Sequence, residues 1–179
     1  MKRIVGMVVA LGVLVPSAAF AGGYVAAGVG GGADISGDLG DFRSDGHYNG
    51  RLMVGQRFTF VSLEAGLNGY GLEGVGAEWD AVSLSGALKL SIPMVLGFEL
   101  FARAGVERTW LGPSGDLPMQ DWAGNGYLIG GGAEYRFDLT PTDLSLWADW
   151  TRHDTNLHDG NARADARVDL WTAGLSIAL

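Results

Sequence analysis

The ionisable residues of this chain fall at intervals that could support chemistry. In FELFARAGVE, residues 98–107, Phe98, Leu100, Ala102, Ala104 and Val106 form one set, and Glu99, Arg103 and Glu107 belong to the other. Alternation with a period of two puts such sets on opposite faces of a strand. Carried onto the other alternating stretches, the same parity adds Arg51, Arg57, Glu64, Lys89, Glu134, Arg136 and Asp149. Acids and bases are mixed in this set. The chemistry it favours is mutual ion pairing backed by hydrogen bonds, which offsets the cost of burying each charge.

A second concentration lies in RHDTNLHDGN, residues 152–161. His153, Asp154, His158 and Asp159 are potential metal ligands, since imidazole and carboxylate both bind transition metals. Their spacing is loose for a fixed site, so the segment reads as a solvated loop and no metal is expected. Asp34, Asp38, Asp41 and Asp45 offer carboxylates to calcium but lack the spacing of an EF-hand. The glycine run GVGGG at 28–32 precedes no helix, so it is not a nucleotide loop. No cofactor is expected.

Positioning these residues requires strands. Eight alternating segments are legible, at 23–33, 49–58, 60–69, 81–91, 96–107, 124–138, 143–152 and 167–179. The connections alternate in length. Long ones cover 34–48, 70–80, 108–123 and 153–166, and short ones fall around Thr59, at IPMV (92–95) and at LTPT (139–142). Long loops therefore gather at one end of an up-and-down antiparallel arrangement.

The first residues bear on compartment. Lys2 and Arg3 precede an apolar run from Ile4 to Val15, which ends in Ala19-Phe20-Ala21. That is the pattern of a secretory signal peptide, and the run is shorter than the about 20 apolar residues of a membrane helix. Residues 1–21 are expected to be removed, leaving one domain over 22–179. Without Lys2 and Arg3, ten basic residues face twenty acidic ones, a formal charge of −10. No basic patch suggests nucleic acid. With no cysteine, no disulfide framework is available to an exported chain.

Period-2 alternation fits a lipocalin-like soluble barrel, apolar inside, or a membrane barrel, apolar outside. Three features favour the second. The less apolar parity carries mostly small residues with few charges, as in Gly126, Leu128, Gly130, Gly132, Glu134 and Arg136, which suits a crowded interior that side chains fill. Tyr127, Tyr135, Phe137, Trp150 and Trp171 lie toward the ends of the apolar bands, where amphipathic rings meet lipid headgroups. The sequence stops on an alternating strand, Trp171, Ala173, Leu175, Ile177 and Leu179 sharing a face, and pairing with the first strand closes the sheet as lipid demands. The expected fold is all-β, an eight-stranded antiparallel up-and-down transmembrane β-barrel with a plugged lumen.

The residues also resemble the OmpA-type transmembrane domain. LKLSIPMVLGFELFARAG (88–105), GGGAEYRFDLTPTDLSLWADW (130–150) and VSLEAGLNGYG (61–71) are similar to that family's fourth-to-fifth strands, its Gly-Gly-x-Glu-Tyr strand with a Thr-Pro turn, and its Glu-x-Gly strand. The resemblance implies a lumenal salt-bridge network, with Glu64, Lys89, Arg103 and Glu134 at matching places. Ser145 stands where the family has a further Arg. It also implies insertion by the barrel assembly machinery, reading the terminal strand through Trp171, Ala173, Leu175, Ile177 and Leu179, with Leu179 in place of the usual Phe. Outer-membrane lipid, lipopolysaccharide and an unidentified loop ligand are the implied partners.

His153-x-Thr155-Asn156 is similar to the His-x-Ser-Asn segment of lipid A deacylases. That resemblance would make Thr155 a nucleophile, His153 its base and Asp165 the orienting acid; Thr replaces Ser, and the family's Glu is missing. The favoured reading is a structural or surface-interaction protein of the bacterial outer membrane, without catalysis. A narrow pore or hydrophobic-solute conduit, a deacylase-like hydrolase and a soluble lipocalin-like barrel stand as alternatives.

Overall fold

The computed structural model describes residues 22–31, 33–37, 48–74, 77–113, 122–137, 143–159 and 162–179. The segment expected to be a signal peptide, the turn at 139–142, and Asp38, Asp41 and Asp45 lie outside them.

Nine strand segments form one antiparallel sheet. They are β1 (Gly23–Gly31), β2 (Ala33–Gly37), β3 (Tyr48–Phe58), β4 (Val61–Gly74), β5 (Ala77–Pro93), β6 (Phe98–Pro113), β7 (Trp122–Phe137), β8 (Leu144–Asp159) and β9 (Ala162–Ala178). Each pairs with the next from β3 onward, β1 pairs with β3, and both β1 and β2 pair with β9. β1 and β2 are therefore two lengths of one wall, and eight walls close a ring. No edge is left between the first and last strands.

The ring is staggered. Following the register from Ala26 leads through Met53, Ser85, Gly126 and Ala166 and arrives at Gly37, not back at Ala26. Strands that meet out of step must tilt against the barrel axis. The first wall also carries a bulge. Val29 pairs with Ala173 and Ala33 with Leu170, so four steps on one strand match three on the other.

The walls are taller than the sequence suggests. Two of the four expected long loops are largely strand, and a third is strand over half its length: β4 runs to Gly74 and β5 starts at Ala77, β8 runs to Asp159 with β9 starting at Ala162, and β6 runs to Pro113 with β7 starting at Trp122. Their Gly, Asp and Asn content reads as loop, but a neighbouring strand supplies each backbone group with a partner, and ladder pairing outweighs composition. The second short turn shifts as well. β5 continues to Pro93, and the reversal falls on Met94–Gly97, where Leu96 (φ 60°) and Gly97 (φ 82°) take left-handed conformations. Thr59 and Phe60 alone link β3 to β4, with Thr59 at φ 55°.

The interior is filled. Trp147 of β8 is buried and lies across β1 and β9, where a Cβ on Gly28 would come within 2.5 Å of its ring and one on Gly174 within 2.7 Å. Ala26, Met53 and Phe101 pack with it, and Tyr24 borders the cluster. Outside, Leu88, Leu90, Leu100, Ile129, Leu146, Leu175 and Ile177 form an apolar band. Phe98, Tyr135 and Phe137 interlock on its short-turn side, successive ring centroids 4.7 Å apart.

Candidate functional site

Strand parity gathers the lumenal charges from non-adjacent walls. Nearest the short turns, Glu99 accepts hydrogen bonds from Arg57 Nη2 (2.7 Å) and Arg136 Nη2 (2.9 Å). Lys89 Nζ reaches Glu134 Oε2 at 2.6 Å and sits 4.4 Å from the Phe101 ring centroid, a cation–π contact.

Deeper in, Asp149 takes two guanidinium groups, Arg51 Nη1 at 2.8 Å and Arg103 Nη1 at 2.5 Å. Arg103 Nε lies 3.0 Å from Glu64 Oε2 as an ion pair without hydrogen-bond geometry, and the Tyr24 hydroxyl donates to the other Glu64 oxygen. Arg51 Nε donates to Asn68 Oδ1 at 2.6 Å. Beyond this tier Glu107 accepts from His153 Nδ1 (2.6 Å) and Thr155 Oγ1 (3.0 Å). Among the described residues, five lumenal carboxylates thus meet five arginine or lysine side chains and one histidine.

A cavity of about 10 Å³ lies among Arg51, Glu64, Asn68, Arg103, Thr151 and His153, about one water sphere. Two of its lining residues carry buried nitrogens without a protein partner, Arg51 Nη2 and His153 Nε2. Above it the interior turns apolar. Tyr70, Ala81, Leu111, Leu157, Ala166, Val168 and Leu170 form a buried cluster, and Ile35, Trp79 and Trp122 pack against it.

The residues singled out in the sequence are distributed as follows. Glu64, Lys89, Glu99, Arg103, Glu107, Glu134 and Asp149 are buried in the lumen, while Arg136 is at its rim with 35% side-chain exposure. Ser145, in the place of the family's additional Arg, is buried beside them. Trp171, Ala173, Leu175 and Ile177 share the outer face of β9 with Leu179. The last three of the strand's outer residues pair with β1, as Ala173↔Val29, Leu175↔Ala27 and Ile177↔Val25.

The catalytic constellation does not assemble. His153 and Thr155 both bind Glu107 instead of each other, and Asp165 stands on the exterior opposite Asn156. The metal grouping is divided by the same alternation. His153 points inward, Asp154 accepts from Arg167 and Tyr127 outside, and His158 Nδ1 lies 3.1 Å from the Asn156 carbonyl. Among the described residues no three His, Cys, Asp or Glu side chains are grouped to hold a metal.

Sequence reading missed His153 and Thr155 as lumenal residues, together with Arg51's partners Asn68 and Thr151. The available signal was parity: Asp149 continued in steps of two reaches Thr151, His153 and Thr155.

No family model matches the chain, and no curated protein does. Solved structures do. Neisserial surface protein A aligns with 88% of this chain and 97% of its own, at TM-score 0.67 and 16% identity. The outer membrane protein OprG from Pseudomonas aeruginosa aligns over 88% of this chain and 95% of its own, at TM-score 0.50 and 13% identity. The closed ring of up-and-down antiparallel strands is therefore the fold that this chain has in common with small outer-membrane barrels.

Proposed function

We propose that the chain is an outer-membrane β-barrel with a structural or surface-interaction role, exported by a cleaved signal peptide and free of catalytic activity. One observation carries this reading: the outer face is apolar along the lower walls while the charges there turn inward and pair. Water would penalise that arrangement, and acyl chains favour it. Outer-membrane lipid and lipopolysaccharide are the surrounding partners. The terminal strand through Trp171 and Leu179 presents the alternation read by the assembly machinery. The loop end presents its surface to an external ligand, and the salt-bridged lumen is closed to solutes.

The chain contains no cysteine, so single labels can be introduced cleanly. Spin labels at Leu100 and Asn156, both on the outer surface, are to be compared in bilayers. Membrane-enriched oxygen should relax the first strongly, and a water-soluble nickel chelate the second. A Leu100 label open to the chelate and shielded from oxygen would return the chain to the soluble, lipocalin-like alternative. Planar-bilayer recordings should show no steady conductance; a stable open level would favour the narrow pore.

A further inference from the structure

The outer wall has a hollow on its loop-ward half. A cleft of about 370 Å³ is lined by Arg108, Ala123, Gly124, Asn125, Asn156 and His158. Local sequence explains it. Ala123 of β7 pairs with Trp110 of β6 on one side and His158 of β8 on the other, so a methyl group sits between two large rings. The volume is in the range of small-ligand sites.

The lining carries no carboxylate. Among the described residues Arg108 has no acidic partner; it contacts Asn125 Oδ1 at 3.5 Å and lies 5.6 Å from the Trp110 ring centroid. Other arginines on this exterior are neutralised, Arg152 by Asp169 and Arg167 by Asp154. Across the β8–β9 ladder Arg163 faces His158 and Asp165 faces Asn156, so the rim carries one charge of each sign and Arg108 is the cation of the cleft itself. His158 Nδ1 donates to the Asn156 carbonyl, which leaves Nε2 as an acceptor for a headgroup hydroxyl. Asn125 Nδ2 is a spare donor once its Oδ1 faces Arg108. This is a recognition set for an anion bearing several oxygens.

What lies beneath identifies the source of that anion. Val106, two residues below Arg108 on β6, is 70% exposed, and Tyr127 and Ile129 continue the outer face of β7 below Asn125. Two residues of strand span roughly 7 Å, so the cleft begins where the apolar band ends. An amphiphile lying on the band delivers its headgroup there.

We infer that this cleft binds the phosphorylated headgroup of a lipid in the surrounding leaflet, with Arg108 on the phosphate and Asn125, Asn156 and His158 on neighbouring oxygens. The inference rests on the membrane reading above, and its test separates the two. The chain is folded in neutral detergent, its barrel state is checked by mobility on unboiled and boiled gels, and bound lipid is counted by native mass spectrometry. The probes are bisphosphorylated lipid A, the same lipid A dephosphorylated, and inorganic phosphate.

One phosphorylated lipid per barrel is expected to be retained, and the dephosphorylated form lost. Arg108→Ala should weaken retention about tenfold, the scale of one charge-assisted hydrogen bond, and Arg108→Lys should recover most of it. Asn125→Asp, which places a carboxylate beside Arg108, should abolish retention without removing the cation. Equal retention of both lipids, unchanged retention in Arg108→Ala and Asn125→Asp, or full displacement by millimolar inorganic phosphate overturns the inference. A heat-modifiable barrel showing any of these leaves the membrane reading standing; a chain whose mobility ignores boiling undermines that reading first.

Discussion

The lower and upper halves of the walls follow opposite rules. On β9 the outer residues run Ile177, Leu175, Ala173, Trp171 and then Asp169, Arg167, Asp165, Arg163, while the inner ones run Ser176, Gly174, Thr172 and then Leu170, Val168, Ala166. β6 does the same, passing from Leu100 and Val106 outside to Arg108, and from Glu99, Arg103 and Glu107 inside to Leu111. The strands keep their period of two and exchange its phase. One continuous hydrogen-bond ladder thus supports two cores, an ion-paired one under an apolar exterior and an apolar one under a charged exterior. The difference teaches that the surrounding solvent, not strand geometry, decides what a barrel wall buries.

The contrast is breakable, beginning with the ionic core. Asp149→Ala strands Arg51 and Arg103 in the lumen, and should cost about 3–5 kcal/mol in a urea titration of the folded barrel in lipid. Survival of that variant at full stability would mean that the ion-paired core is dispensable.

The apolar core comes next. Leu170→Ala empties space in the upper cluster and should cost about 2–4 kcal/mol, with faster amide exchange confined to the loop-ward parts of β8 and β9. The matched change Leu88→Ala, on the lower exterior, should cost far less, because lipid fills the gap. Equal losses would erase the distinction between the two halves.

On the charged exterior, Arg152→Ala removes the half-buried Arg152–Asp169 pair and should lower the unfolding midpoint only slightly, as ion pairs open to solvent contribute little. The smallest effect is a gain. Thr59→Asn relieves a β-branched residue of its left-handed φ and should raise stability by about 0.5 kcal/mol, read as a slightly higher urea midpoint.

Much of the lower half was legible in the sequence, because FELFARAGVE and the Gly126–Arg136 parity state both faces of a strand directly. The upper half was not. Residues such as HDTNLHDGNARADA (153–166) look like loop when polarity alone is weighed, yet Leu157, Ala164, Ala166 and Val168 keep the alternation inside them. Their phase is the reverse of that of the lipid-facing walls, so the parity of the lower half does not carry over to them. His153 was hidden by the same polarity. Thr59 gave no turn signal because its conformation is imposed by the strands it joins, and the bulge between Val29 and Ala33 exists only in the pairing with β9.

The indole resting over Gly28 and Gly174 bears on how the cylinder is completed. Its seam joins β1 to β9, contacts of high sequence separation that are the slowest kind to establish. The ring covering that seam belongs to β8, which neither edge includes. The junction therefore rests on a bystander's side chain as well as on the paired backbones of its two edges, and loosening β8 would loosen the seam with it.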